Sequence, residues 1–296
     1  MASSWRLHDS TIAGGVAGVV ASVVTCPLDV IKTKLQAQKK FKGRTLDGVI
    51  GTIKRISKEQ GFKGFYKGLG PTIFGYLPTW AIYFTVYDEV KAVLSKSGDP
   101  NGVNWSTHMI ASATAGATGA TLSNPLWVVK TRFMTQDMES IPYKHTFHAL
   151  KCIYKVEGLK ALYKGLIPSL VGVSHVVIQF PLYERLKFKM KSNDNNELTT
   201  LQLLSCSSIS KMMASISTYP HEVVRTRLQI DRNRDKHHLN SSEILKVIRA
   251  IMNESGLKGL YKGLSVTLLR TVPNSAMTLL AYEVIMSDLT RRRIDR

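Results

Sequence analysis

Cysteine is scarce in this chain: Cys26, Cys152 and Cys206 are three in 296 residues, and they lie far apart. That spacing excludes a disulfide framework and a zinc knuckle, and all three are read as free thiols. A nucleophile dyad, a metal-ligand cluster and a phosphate loop are also missing. The small-residue run Ala13-Gly14-Gly15-Val16-Ala17-Gly18 has neither the spacing nor the preceding strand of a phosphate loop. No catalytic residue, metal or cofactor is therefore expected. Met1 to Ser10 holds Arg6 and Asp9 but no apolar core before a cleavage site, so no removable targeting segment is expected. Acids are few, 21 against 40 Lys and Arg, and the net charge of +19 suits nucleic acid, an anionic membrane surface or an anionic substrate. A mean hydropathy of −0.03 leaves the class open, because an average mixes apolar spans with charged loops.

What the chain has is repetition. Pro27-Leu-Asp29-Val-Ile-Lys32-Thr-Lys34 returns as Pro125-Leu-Trp127-Val-Val-Lys130-Thr-Arg132 and as Pro220-His-Glu222-Val-Val-Arg225-Thr-Arg227, offset by 98 and 95 residues. A second string, Gly61-Phe-Lys-Gly-Phe-Tyr66-Lys67-Gly68, returns ending at Gly165 and at Gly263, offset by 97 and 98. Two motifs sharing one period define a threefold repeat, with boundaries at 1–100, 101–196 and 197–296 that together make one domain.

Each repeat holds two stretches poor in charge, and a bilayer-spanning helix needs roughly 20 such residues. No charge falls between Asp9 and Asp29, between Lys67 and Asp88, or between Lys164 and Glu184; Asp99 alone interrupts Gly98 to Lys130. The last two stretches contain Lys211 and Arg270. Loop charge alternates: Asp29 to Lys67 has eleven Lys/Arg against three acids, while Asp88 to Asn104 has two against three. The other long connections, Lys130 to Lys164 and Glu222 to Lys262, are basic too, which places all three on one side of six spans. Topology thus accounts for much of the +19, and no aromatics interleave with the basic clusters as nucleic-acid stacking requires. No nucleic-acid partner is expected.

These motifs resemble the mitochondrial carrier family, whose repeat runs Pro-x-acid-x-x-base-x-base, then an acid-glycine pair and an aromatic-basic-glycine triplet. The resemblance implies an all-α membrane protein of six transmembrane helices in three two-helix repeats, with pseudo-threefold symmetry and short matrix surface helices. It places the protein in the mitochondrial inner membrane as a functional monomer. Odd-numbered helices would kink at Pro27, Pro125 and Pro220, where proline removes a backbone hydrogen bond. Acid and base three residues apart share a helix face. By resemblance they form a matrix gate pairing Asp29 with Lys130 and Glu222 with Lys32. The third pair would join Trp127 to Arg225, where a cation–π contact replaces the salt bridge. Gln36 and Gln229 take the family's glutamine-brace positions, with Met134 at the equivalent site. Gln60 and Ser255 replace the acid before glycine that Glu157 keeps.

The opposite, cytoplasmic gate is expected on even helices, from Tyr87-Asp88-Glu-Val-Lys91, Tyr183-Glu184-Arg-Leu-Lys187 and Tyr282-Glu283-Val-Ile-Met286. Met286 breaks the third base, leaving Asp88 with Lys187 and Glu283 with Lys91. Cardiolipin, as a structural lipid, would bind at the helix N-termini beside Gly68, Gly165 and Gly263.

A charge at bilayer depth is expensive, so Lys211 and Arg270 are expected to face a wet cavity; Arg270 also matches the family's contact position on the sixth helix. Aligning even helices on their acids puts Gly75 and Tyr76 level with Val171 and Gly172. Helical spacing adds Trp80 and Tyr83, His175 and Gln179, and Asn274. A large aromatic such as Trp80 can stack on a nucleobase while the cations hold phosphates. Trp127, Pro78-Thr79-Trp80, Lys211 and Arg270-Thr-Val-Pro-Asn are similar to the family branch carrying NAD, flavin or folate, and pyrimidine nucleotides. That similarity implies NAD+ import in exchange for nucleotides. FAD, folate or a pyrimidine nucleotide is the alternative substrate, and a non-transporting membrane receptor or scaffold the alternative class.

Overall fold

The computed structural model describes residues 2–38, 47–96, 105–136, 143–190, 199–231 and 241–294. They form ten α-helices and no strand among the described residues: α1 Ala2–Ala37, α2 Val49–Gln60, α3 Leu69–Lys96, α4 Trp105–Thr135, α5 Thr146–Glu157, α6 Leu166–Val173, α7 His175–Met190, α8 Thr200–Ile230, α9 Ser241–Ser255 and α10 Leu264–Ile294. Counting α6 and α7 as one broken rod gives six long elements, two per repeat, with α2, α5 and α9 as short connectors. At 1.5 Å per residue the 31-residue helices α4, α8 and α10 run about 46 Å, longer than a hydrocarbon core of about 30 Å.

The long elements close into a ring. α1 packs on α3 and α10, α3 on α4, α4 on α6, and α6–α7 on α8, which also meets α10. Small residues let the backbones approach: Ala17, Ala21, Ala111, Ala115 and Ala214 are buried, as the small-residue runs predict. Burial is otherwise inverted relative to a water-soluble bundle. Thr25, Asn124, Ser210 and Arg132 are fully buried, while Phe74, Phe84, Leu122, Leu269 and Leu280 are exposed on the outside. A lipid-facing exterior and a polar interior explain that distribution. They also explain why only Gly14–Ala37, among the described residues, combines span length with high mean hydropathy, 1.8. The other long helices carry polar residues on the faces turned inward, and these dilute the average.

Pro27, Pro125 and Pro220 each lie inside a helix that continues past them. Two residues preceding a motif proline tie that point of the helix to the same repeat: Asn124 donates to the Leu162 carbonyl at 2.8 Å, and the Tyr219 hydroxyl to the Lys262 carbonyl at 2.9 Å. The fourth long element is broken at Ser174. There the Ser174 side chain donates to the Val171 carbonyl at 2.6 Å, and His175 Nδ1 lies 3.2 Å from the Gly172 carbonyl. Side chains thus take up carbonyls that the interrupted helix ladder leaves free.

Candidate functional site

The motif segments of α1, α4 and α8 converge at one end of the ring. Lys32 Nζ lies 3.0 and 2.9 Å from the two carboxylate oxygens of Glu222, and Lys130 Nζ is 3.4 Å from Asp29 Oδ2. Both expected ionic links are therefore formed. The third is different from expectation: the cation over Trp127 is Lys130 of its own helix, 4.9 Å from the ring centroid, in place of Arg225. Spacing explains the correction, because residues three apart on a helix are neighbours whatever the inter-helix geometry. The indole also donates to Ser123 Oγ at 3.1 Å and meets Tyr76 edge-on at 5.9 Å, which fixes its orientation along α4.

Beneath these links the glutamines act as braces between repeats. Gln36 donates to the Tyr219 hydroxyl at 2.9 Å and accepts from Thr226 at 2.7 Å; Gln229 accepts from Thr131 at 2.6 Å. Gly68, Gly165 and Gly263 have φ of 88°, 78° and 83°, a left-handed conformation that favours glycine. Each lies against the odd helix of another repeat. A Cβ would fall 2.8 Å from Met134 at Gly68, 3.0 Å from Gln229 at Gly165 and 3.5 Å from Gln36 at Gly263. The brace residues and the triplet glycines are two halves of one threefold contact.

The second base of the motif completes the closure. Arg132, fully buried, forms a two-pronged ion pair with Glu157, and its Nε donates to the Gln229 carbonyl at 2.9 Å. Arg227 reaches the Gln36 carbonyl at 2.8 Å, the Gln38 carbonyl, and Glu254 at 3.1 Å. Glu254 is a residue that the motif reading missed. The acid is displaced by one position, so inspecting Ser255 alone suggested its loss. At Gln60 both side-chain polar atoms are buried without a hydrogen-bond partner among the described residues. On the connector between α5 and α6, Lys164 donates to the Asp231 carbonyl at 2.6 Å; burial pushes its ammonium below the usual lysine range, against the pull of Glu157 and Asp231.

The cytoplasmic-gate residues are in the opposite condition. Asp88, Glu184 and Glu283 are exposed, Lys91 and Lys187 half-buried, and no ion pair joins them among the described residues. Lys187 instead lies 6.0 Å from the Tyr183 ring. One end of the ring is joined by ion pairs, while the residues expected at the other gate are unpaired among the described residues.

Above the closed gate lies a cavity of about 270 Å³. Six of the eleven expected substrate residues line it: Tyr76, Gly172, His175, Lys211, Arg270 and Asn274. Lys211 has no hydrogen bond or ion pair among the described residues, whereas Arg270 forms an ion pair with Asp29, Nη1 to Oδ1, at 2.9 Å. Asp29 therefore holds two cations, Lys130 of the gate and Arg270 of the cavity. Arg270 Nε is buried without a partner among the described residues. Ser215 and Thr218 also line the space, at helical spacing from Lys211 on α8, which is the signal that finds them; His221 and Thr271 line it too, but as direct sequence neighbours of Glu222 and Arg270 they carry no such signal.

The remaining five expected residues lie outside that lining. Trp80 is 47% exposed in an aromatic run with Tyr83 and Phe84, at centroid distances of 5.7–5.8 Å. Gly75 is buried, with Leu126 3.7 Å from an added Cβ, which makes it a packing position. Val171 is exposed, and Gln179 is half-buried on α7.

A ring of six long helices in three repeats, closed at one end by ion pairs and enclosing a cationic cavity, defines a membrane carrier. The sequence profile described as mitochondrial carrier protein matches residues 5–98, 101–194 and 196–293, and the chain belongs to that family. It is 42% identical over 290 residues to the mitochondrial nicotinamide adenine dinucleotide transporter 1 of Saccharomyces cerevisiae, covering 95% of this chain and 77% of that one. The mitochondrial nicotinamide adenine dinucleotide transporter 2 of Arabidopsis thaliana is 42% identical over 283 residues, 93% and 77% covered. The chloroplastic folate transporter 1 of the same plant is 34% identical over 306 residues, 98% and 97% covered.

Proposed function

We propose that this protein imports NAD+ across the mitochondrial inner membrane in exchange for other nucleotides, by alternating opening of its two gates. The observation that carries the reading is the pair Lys211 and Arg270 on one cavity directly above the closed gate. Two cations at bilayer depth match a diphosphate, and the similarity to dinucleotide transporters of yeast and Arabidopsis supports NAD+ as its bearer.

The geometry supplies a coupling mechanism. Arg270 is held by Asp29, and Asp29 also holds Lys130. A substrate phosphate competes for the Arg270 guanidinium, which can accept it bidentately and has Nε unpaired. Asp29 then keeps one cation in place of two, and the contact tying α10 to the motif segment of α1 is released. Binding energy at Lys211 and Arg270 is thereby spent on opening the gate, and a ligand without paired anionic oxygens lacks that leverage. The unpaired cytoplasmic residues, Asp88 with Lys187 and Glu283 with Lys91, would pair as the first gate opens. Positive-φ turns at Gly68, Gly165 and Gly263 precede the N-termini of α3, α6 and α10, where backbone N–H groups suit cardiolipin phosphates. The ring closes within one chain, which supports a functional monomer.

Purified protein in liposomes loaded with candidate nucleotides tests the reading. Wild-type protein should take up NAD+, with FAD, folates and pyrimidine nucleotides competing weakly, and Arg270→Ala should lower uptake by about two orders of magnitude, as removing one side of a desolvated charge contact does. NAD+ uptake by wild type no faster than by Arg270→Ala rejects it.

A further inference from the structure

Besides the two cations, the cavity is lined by two histidines, His221 of α8 and His175 at the start of α7. His221 Nδ1 is in hydrogen-bond contact with the Thr218 carbonyl, and His175 Nδ1 is 3.2 Å from the Gly172 carbonyl. A carbonyl oxygen can only accept, so in the neutral ring each Nδ1 carries the proton and each Nε2 is left as an acceptor lone pair. Neither Nε2 has a partner among the described residues, and both rings line the cavity. Gly172 is what makes room for this arrangement: a Cβ added there would lie 2.6 Å from His221 Nε2. Glycine at 172 and the carbonyl of Thr218 together hold one acceptor at a fixed place.

We propose that His221, seconded by His175, is a specificity-determining residue that accepts a hydrogen bond from an N–H donor of the substrate's heteroaromatic end. The proposal rests on the NAD+ reading above and deepens it. Phosphates go to Lys211 and Arg270, which donate only; an imidazole acceptor contributes nothing to an anion and recognises the opposite polarity. About 270 Å³, below the usual range of about 300–1,000 Å³ for drug-sized ligands, seats one ring with the adjoining phosphates, and the other ring of a dinucleotide extends beyond it. The donor is thus an –NH2 group on a planar carbon, either the nicotinamide carboxamide or the adenine amine. A buried acceptor left unpaired disfavours an analogue lacking that group, and a carboxylate in its place is repelled by the lone pair.

Competition against NAD+ exchange in liposomes, with the full-length protein, reads this directly. The competitors are nicotinic acid adenine dinucleotide, which lacks the carboxamide N–H, and nicotinamide hypoxanthine dinucleotide, which lacks the adenine amine. Wild type should bind one of the two about tenfold or more weakly than NAD+, and which one tells the end that is seated. His221→Phe keeps a flat ring without the acceptor and should bring that ratio to within about twofold, through weaker binding of NAD+. Gly172→Ala pushes the imidazole aside and should act the same way, which provides a second variant if His221→Phe does not fold. Equal competition by both analogues in wild type overturns the proposal, as does an unchanged ratio in either variant that exchanges NAD+. Absence of any NAD+ exchange by wild type instead rejects the transport reading on which it rests.

Discussion

Asp29 is the residue on which gate and cavity meet, bound to Lys130 at 3.4 Å and to Arg270 at 2.9 Å. Half of this was legible in sequence: motif position predicted Lys130, while Arg270, 241 positions away, was visible only as a deep cation without an assigned partner. Neutralising the carboxylate by Asp29→Asn leaves two half-buried cations without their shared anion, which costs about 1–3 kcal/mol. The variant should therefore melt lower than wild type in detergent, and added NAD+ should restore more stability than it adds to wild type. Trp127 allows the converse experiment. Trp127→Glu restores the acid missing from the repeat-two motif, at the position that the family pattern pairs with Arg225. Exchange should slow several-fold while the melting temperature rises, measured by initial uptake rate and thermal unfolding. His221 went unread because it occupies a variable spacer position between Pro220 and Glu222, and a motif pattern gives no direction to its spacers.

At the level of elements, the connectors between paired helices carry much of the order. Arg132 and Glu157 are both buried and mutually hydrogen-bonded, so Glu157→Gln should destabilise by about 3–5 kcal/mol, leaving the guanidinium half-paired. Glu254 plays the same part for Arg227 but is 24% exposed, and Glu254→Gln should cost no more than about 1 kcal/mol. Thermal unfolding of both variants checks the order; a larger loss at Glu254 would contradict it. Spans and connectors could be placed from charge-free stretches and the doubled motif. The break at Ser174 could not, because no proline or charge marks it and the carbonyls it frees are satisfied by side chains one turn away. Hydropathy alone also misleads here: inward faces rich in Ser, Thr and Lys pull the average below that of an ordinary membrane span, although the exposed faces are apolar.

The whole molecule is a threefold design whose departures from symmetry lie around the cavity. Repetition made the architecture readable, since any feature seen three times at one period needs no further support. The proposed function rests on features seen once, Lys211, Arg270, Trp127 and the two histidines, and their partners depend on how the ring brings distant helices together. The central claim is that this ring exchanges nucleotides, not merely binds them. Uptake of labelled NAD+ into liposomes carrying the purified protein, filled either with unlabelled NAD+ or with buffer alone, tests it most directly. The account predicts saturable uptake that is fast with NAD+ inside and strongly reduced with buffer alone. Binding of NAD+ at the outer face without uptake, or uptake indifferent to internal nucleotide, would contradict it.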